Sequence, residues 1–157
     1  MSVEFEDNTM RVINALNEGI LNFLEEASGE LEAQAIRNTT VDKSQLKGSW
    51  KHVVDRSNFS AVVGSPLENA IWEEFGTGEY ALKGNGRKGA WYVPVEKATG
   101  TKKPTFNGKV VVVYGKNGQA FYKTNGKKPK RMLQRAIDTR KNLIGRTLVQ
   151  KLREQMR

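Results

Sequence analysis

Residues 84–89, GNGRKG, carry the spacing G-x-G-x-x-G, which in many enzymes cradles the pyrophosphate of a dinucleotide. That chemistry needs a strand before the glycines and a helix after them, so that the helix N-terminus meets the phosphates. Here a loop precedes Gly84, and the run AWYVPV, which is typical of a strand, follows Gly89. The spacing therefore does not predict a nucleotide site. Arg87 and Lys88 instead indicate an exposed, mobile, basic loop that could order against a partner.

Two other features of the sequence bear on catalysis and metal binding. Glu73 and Glu74 are adjacent carboxylates, but neighbouring helix positions do not face each other, so they cannot form a working acid–base pair by themselves. The chain has no cysteine and one histidine, His52, which argues against thiolate metal sites, a histidine zinc site and a serine triad. We therefore expect no catalytic, cofactor-binding or metal-binding residues, and a protein that is not an enzyme.

The segment KKPKR, residues 127–131, is typical of a nuclear-localisation signal or a nucleic-acid patch. Its cations would crowd the start of a final helix, where the macrodipole disfavours positive charge. DNA phosphates or an acidic face of another subunit could compensate, or the long side chains could simply reach into water. No helix-turn-helix or other DNA-reading module is evident. The basic residues that could face a partner or DNA are Arg87, Lys88, Lys127, Lys128, Lys130, Arg131 and Arg135.

Charge is distributed unevenly along the 157 residues, whose net charge is +9. Residues 1–37 carry eight acidic and two basic side chains, whereas residues 123–157 carry two acidic and twelve basic ones. This asymmetry indicates either an anionic partner or head-to-tail pairing between copies, while a solvated basic helix without a partner remains open. The acidic N-terminus lacks the layout of a signal peptide, and no apolar run approaches a bilayer span. We therefore expect an intracellularly made protein without a membrane partner.

The hydrophobic pattern predicts an α+β fold as one domain over residues 1–157. Helices are expected at 8–37 and 129–157, packed on a mainly antiparallel sheet of about five strands within 49–123. Mobile loops are expected at 79–89 and 97–109. The first helix carries an apolar stripe at three- and four-residue intervals, namely Met10, Ile13, Leu16, Ile20, Phe23, Leu24, Ala27 and Leu31.

Three local signals define the middle of the chain. The segment ENAIWEEF predicts a short helix that stops at the glycines after Phe75. Four consecutive valines, residues 110–113, favour a strand covered on both faces. KNGQ, residues 116–119, predicts a type I′ hairpin turn because Asn-Gly readily adopts positive φ angles.

The segments VDKSQLKGSW and VVGSPLENAIWEEFGTG resemble the small tail-component, or head–tail joining, family of long-tailed bacteriophages. That family carries Val-Asp-Thr-Gly-x-Leu-x-x-Ser after a first helix, and a Val-Gly-(Ser/Thr) strand end before A-x-(Y/W)-x-E-(F/Y)-G-T-G. The resemblance spans roughly residues 35–140. The matching residues are Val41, Asp42, Leu46, Ser49, Val63, Gly64, Ser65, Ala70, Trp72, Glu74, Phe75, Gly76, Thr77 and Gly78. The chain departs from the family where Lys43-Ser44 replaces Thr-Gly, and where KPKRMLQRAI lacks the Phe of a Pro-Phe-Leu segment, keeping only Leu133 and Ala136.

The resemblance implies a structural virion protein of the neck, made in the bacterial host and acting without a cofactor. Such proteins form rings, commonly hexamers, between the head connector or stopper and the tail terminator or tail tube. A basic nucleic-acid-binding accessory protein is the alternative, and DNA in the channel is a further expected contact. The residues Trp72, Glu74, Phe75, Gly76, Thr77 and Gly78 are expected to act structurally, with Trp72 and Phe75 anchoring a short helix on the sheet.

Overall fold

The computed structural model describes residues 7–40, 45–98, 100 and 102–155. Three helices and five strands follow one another along the chain. In order they are α1 (Thr9–Asn38), β1 (Lys51–Asp55), β2 (Ser60–Gly64), α2 (Glu68–Phe75), β3 (Trp91–Pro94), β4 (Val111–Tyr114), β5 (Ala120–Thr124) and α3 (Met132–Gln155). The α+β class, the five strands and the two long helices are confirmed. None of the described helices combines the length and hydropathy that a membrane span requires.

The five strands divide between two antiparallel sheets instead of forming one. β1 and β2 form a hairpin, and β5 lies between β3 and β4 in a separate three-stranded sheet. The long helices pack chiefly on each other, and the hairpin lies against α1. The alternating pattern of each strand predicts a half-buried strand but does not choose its neighbour.

The buried core lies where the end of α1 meets the start of α3. Ala35 and Ala136 are fully buried there, and such small side chains let the two helices approach closely. The indole of Trp50 fills the space beside them and donates from Nε1 to Thr39 Oγ1 at 2.8 Å. Thr39 Oγ1 in turn donates to the carbonyl of Ala35 at 2.7 Å. The polar atoms at this end of α1 are thus satisfied inside the core.

The apolar stripe of α1 extends beyond the partner that buries it. The described part of α3 ends at Gln155, whose side chain lies beside Gly19 of α1. Before that point the same stripe continues as Met10 and Ile13, which are 69% and 44% exposed. We call residues 9–18 the α1 overhang. Its residues Met10, Val12 and Ile13 are therefore left largely uncovered by the described residues of the chain, whereas Leu16 is half-buried.

Part of the charge asymmetry is satisfied within one chain, because α1 and α3 are paired. Arg140 lies 3.0 Å from Glu30, and Lys151 lies 3.1 Å from Glu26. Surface pairs of this kind each add only a few tenths to about 1 kcal/mol. They flank the helix contact whose buried residues are Ala35 and Ala136.

Two local predictions were wrong in the three-stranded sheet. The valine-rich strand is not covered on both faces, since β4 is an edge strand whose Val112 and Tyr114 are 41% and 75% exposed. The turn between β4 and β5 is longer than the type I′ turn, with the amide of Gly118 donating to the carbonyl of Gly115. Only Gly118 has a positive φ in this turn, which is typical of a type I turn followed by a glycine bulge.

The side chain of His52 joins the hairpin to α1. Its Nδ1 lies 2.5 Å from Glu32 Oε2, and its Nε2 lies 3.3 Å from Glu25 Oε1. The hydrogen bond to Glu32, helped by the one to Glu25, raises the pKa of His52 above its ordinary value despite partial burial. The protonated form is therefore the one that holds the hairpin on the helix.

This arrangement predicts a stability that depends on pH. Because the folded-state pKa lies above the unfolded one, the contribution of His52 is complete below about pH 6 and is lost as the pH rises through the folded pKa. The free energy of unfolding should fall more steeply between about pH 6 and about pH 9 for the natural chain than for His52→Gln. Urea unfolding at both pH values checks this, and equal slopes for the two proteins would contradict it.

Candidate functional site

Helix α2 is inverted relative to an ordinary surface helix. Two of its three carboxylates face inward: Glu74 is buried, and the side chain of Glu73 is only 13% exposed. Its large apolar residues face outward, with Ile71, Trp72 and Phe75 exposed by 59%, 49% and 43%. The prediction that Trp72 and Phe75 anchor the helix on the sheet is therefore wrong. The physical reason is that Glu73 and Glu74 form ion pairs and hydrogen bonds with the segment before α3 and with its first turn. The aromatic residues therefore lie on the opposite side of α2, in contact with solvent or with another molecule.

Glu74 caps the last helix from outside it. Its Oε2 and Oε1 accept hydrogen bonds from the backbone amides of Leu133 and Gln134, each at 2.9 Å. A carboxylate at this position satisfies two orphan amides and complements the positive end of the helix dipole. Helix α3 begins at Met132, not at Pro129 as predicted, because Arg131 has a left-handed backbone with φ of 51°.

Glu73 holds the lysines that precede this helix. It forms ion pairs with Lys127 and, at 2.7 Å, with Lys130, and its carbonyl accepts the amide of Lys130 at 2.7 Å. Burial alone would raise the pKa of Glu73, but the hydrogen bonds and charges of the two lysines outweigh it, so its pKa lies below the ordinary value. Crowding of cations before α3 is thus partly relieved within the chain.

The Gly-Thr-Gly segment after α2 continues the same contact with backbone bonds. The amide of Thr77 donates to the carbonyl of Lys127 at 2.9 Å, and the amide of Lys127 returns a bond to Thr77 Oγ1 at 3.0 Å. Gly76 and Gly78 have φ of 73° and 61°, in the left-handed region that favours glycine. Both also lie too close to the 125–130 backbone or its neighbours for a Cβ. We call the contact between residues 73–79 and residues 125–134 the α2 junction.

The α2 junction includes a residue that the sequence analysis missed. Asn125 is 2% exposed, and its Nδ2 donates at 2.9 Å both to Glu79 Oε2 and to Asn107 Oδ1. The carbonyl of Asn125 also accepts the amide of Glu79 at 3.0 Å. One buried amide therefore ties the predicted loops 79–89 and 97–109 to the end of β5. An asparagine in a polar stretch carries no periodic signal that would have singled it out.

A cleft with basic walls lies beside the α2 junction. Several of the predicted basic residues meet there, joined by two lysines from the loop before β4 that the sequence analysis missed. We call this the lysine cleft, and its lysines are Lys102, Lys103, Lys127, Lys128 and Lys130. Trp91 and Tyr80 contribute aromatic walls, and among the described residues lining it none carries a carboxylate.

The remaining predicted basic residues lie around this cleft or outside its lining. The guanidinium of Arg87 sits 5.5 Å from the centre of the Trp91 ring. Lys88 is exposed and does not line the cleft, and neither do Arg131 and Arg135 at the beginning of α3. Within the described ranges, no group of three or more acidic or histidine side chains has an arrangement suited to a metal ion.

Comparison with known families adds an independent observation. Residues 4–76 match the model of a family described as "Bacteriophage HK97-gp10, putative tail-component". The resemblance to a bacteriophage tail-component family is confirmed. The match to this tail-component family supports a structural phage protein and a place in the virion. No curated protein and no solved structure gives a significant match.

The tail-component match covers α1, the hairpin and α2 up to its glycine stop. Two of its serines meet in the fold, because Ser49 Oγ lies 2.7 Å from Ser65 Oγ and joins the turn before the hairpin to the one after it. Val41 and Asp42, and the departure at residues 43–44, lie outside the described residues. The inverted helix thus belongs to the matched part, while all residues lining the lysine cleft lie beyond it.

Proposed function

We propose that this chain is a structural protein of the bacteriophage head–tail junction, whose copies join into a closed ring between head connector and tail tube. The observation that carries the proposal is the inverted helix α2, which exposes Trp72 and Phe75 within a sequence that matches a tail-component family. Half-exposed aromatic residues on a rigid helix are the kind of anchors that dominate protein interfaces.

The exposed surface of the chain also favours assembly. Fully buried side chains of large volume are rare among the described residues, with Met132 the one below 2% exposure. A thin core and large exposed apolar residues are consistent with a chain that completes its burial against other copies.

Two separate apolar surfaces suit a ring. One is the α1 overhang, and the other is the α2 face, which we define as Ile71, Trp72 and Phe75 with the adjacent Leu82, 52% exposed. The amide of Leu82 donates to the carbonyl of Phe75 at 3.0 Å, which keeps the two side chains on neighbouring backbone. A ring needs two different, complementary surfaces on each copy, because its interface is heterologous. In this proposal the overhang of one copy packs on the α2 face of the next.

Mixing two variants tests this arrangement directly. Met10→Ser with Ile13→Ser removes the overhang surface, and Ile71→Ser with Trp72→Ser removes the α2 face. All four side chains are exposed, so both variants should fold. We expect a ring mass for the natural chain by light scattering and a monomer mass for each variant. An equimolar mixture should give a heterodimer, because it contains one intact copy of each surface.

A matched control distinguishes the two surfaces from general loss of apolar area. Val53→Ser with Val62→Ser alters a cross-strand pair on the outer face of the hairpin, exposed by 68% and 69%, and should keep the ring mass. Variants that both remain rings, or a mixture that remains monomeric, would contradict the overhang-to-α2 contact. A natural chain that stays monomeric at high concentration would contradict self-assembly.

A further inference from the structure

We infer that the lysine cleft binds the backbone phosphates of duplex DNA. The inference rests on the proposed function and names a partner for that assembly from the charge of the cleft. Five lysines and no carboxylate are found among the described residues that line the cleft. They come from two segments, the loop before β4 and the stretch between β5 and α3, so the fold brings together charges that are separate in the sequence.

Two cations at the cleft, Lys128 and Arg87, are held by aromatic rings that do not neutralise them. The ammonium of Lys128 lies 5.7 Å from the centre of the Tyr80 ring, and Arg87 lies over Trp91. The face of an aromatic ring attracts a cation but carries no net charge, so it orients the cation and leaves the positive charge in place. Nearby, Lys123 sits 4.1 Å from the centre of the Phe106 ring. The electrostatic potential of this surface therefore stays positive.

The five lysines divide into two groups by their partners. Lys127 and Lys130 are paired with Glu73 and position the α2 junction. Within the described residues, Lys102, Lys103 and Lys128 form no ion pair, while Lys103 reaches the carbonyls of Ala98 and Gly100 at 3.5 Å. These three are the side chains that we assign to phosphate contact.

The lining suits the phosphates of a nucleic acid. The acidic helix α1 of another copy is a weaker match, because Glu30 and Glu26 are already paired with Arg140 and Lys151 within the chain. Lysine acts as a point charge on a long stem and contacts phosphate oxygens without reading sequence. Binding is therefore expected to be independent of base sequence and steeply weakened by salt.

The test compares two triple variants with the same net charge. Lys102→Gln, Lys103→Gln and Lys128→Gln remove the proposed contacts, whereas Lys51→Gln, Lys116→Gln and Lys141→Gln remove three exposed lysines outside the cleft lining. Fluorescence anisotropy measures binding to a labelled duplex of arbitrary sequence, from about 50 to about 200 mM salt. We expect the cleft variant to bind at least about tenfold more weakly, with a salt slope shallower by about 2 to 3.

The control variant should lose clearly less affinity than the cleft variant. Equal losses would show a general attraction to positive charge and would overturn the assignment, as would a natural chain that does not bind the duplex. Unchanged urea unfolding of both variants establishes that they are folded. Light scattering of the same samples measures their molar mass, so a failure of ring formation is distinguished from a failure of DNA binding.

Discussion

Replacing Glu74 with alanine is expected to lower the free energy of unfolding by about 3 kcal/mol, because two hydrogen bonds to a charged acceptor are lost at once. The substitution leaves the amides of Leu133 and Gln134 without their partner at a site where Glu74 is only 9% exposed. It also removes a negative charge from the positive end of α3, beside a run of lysines. Urea unfolding, with the midpoint and slope fitted together, measures the change.

Two further variants make this prediction specific to the cap. Glu74→Gln keeps the volume and one acceptor oxygen but not the charge, so it should cost less, about 1 to 2 kcal/mol. Glu68→Ala alters an exposed glutamate in the first turn of the same helix and should change stability by less than about 0.5 kcal/mol. If Glu74→Ala were as mild as Glu68→Ala, the cap would not be a significant source of stability.

Gly78→Ala is expected to lower the free energy of unfolding by about 4 kcal/mol, at least as much as Glu74→Ala. A Cβ at this position would meet the carbonyl of Asn125 and the ring of Trp91, neither of which can move without disturbing the α2 junction. A backbone φ of 61° adds the strain of a left-handed residue, about 1 to 2 kcal/mol. Forced overpacking supplies the remainder.

Gly84→Ala provides the matched control for Gly78→Ala. Gly84 also has a positive φ, 69°, but a Cβ there meets nothing within 4 Å. It should therefore show the backbone strain alone, about 1 to 2 kcal/mol, in the same thermal or urea unfolding experiment. The difference between the two glycines isolates the close packing, and equal losses would contradict the packing argument.

Much of the fold follows from local pattern, as α1, α2 and the strands show. The three-and-four spacing from Met10 onward predicts α1 almost to the residue, and glycine after Phe75 predicts where α2 stops. These signals are local because helix periodicity and positive φ are properties of short segments. The division into two sheets was not predictable in this way, since strand pairing depends on distant partners.

The orientation of α2 shows why the site was harder to predict than the elements. Its pattern separates Ile71, Trp72 and Phe75 from Glu73 and Glu74, but it does not show which of the two sets faces the rest of the chain. The orientation is determined by the contacts of Glu73 and Glu74 with Lys127, Lys130 and the start of α3, which lie far along the chain. Similarly, Lys102 and Lys103 stand in a polar stretch, and only the fold places them beside Lys128.

The pairing of α1 with α3 has a consequence for the kinetics of folding. These are the first and last described helices, so the core around Ala35 and Ala136 closes only when the two ends of the described chain meet. Forming contacts between such distant segments costs the entropy of closing a long loop before the contacts stabilise the chain. Folding is therefore expected to be slower than for a helical bundle with local contacts. Until α3 docks, the apolar stripe of α1 stays uncovered, and its exposed length then exceeds the overhang that the folded chain retains.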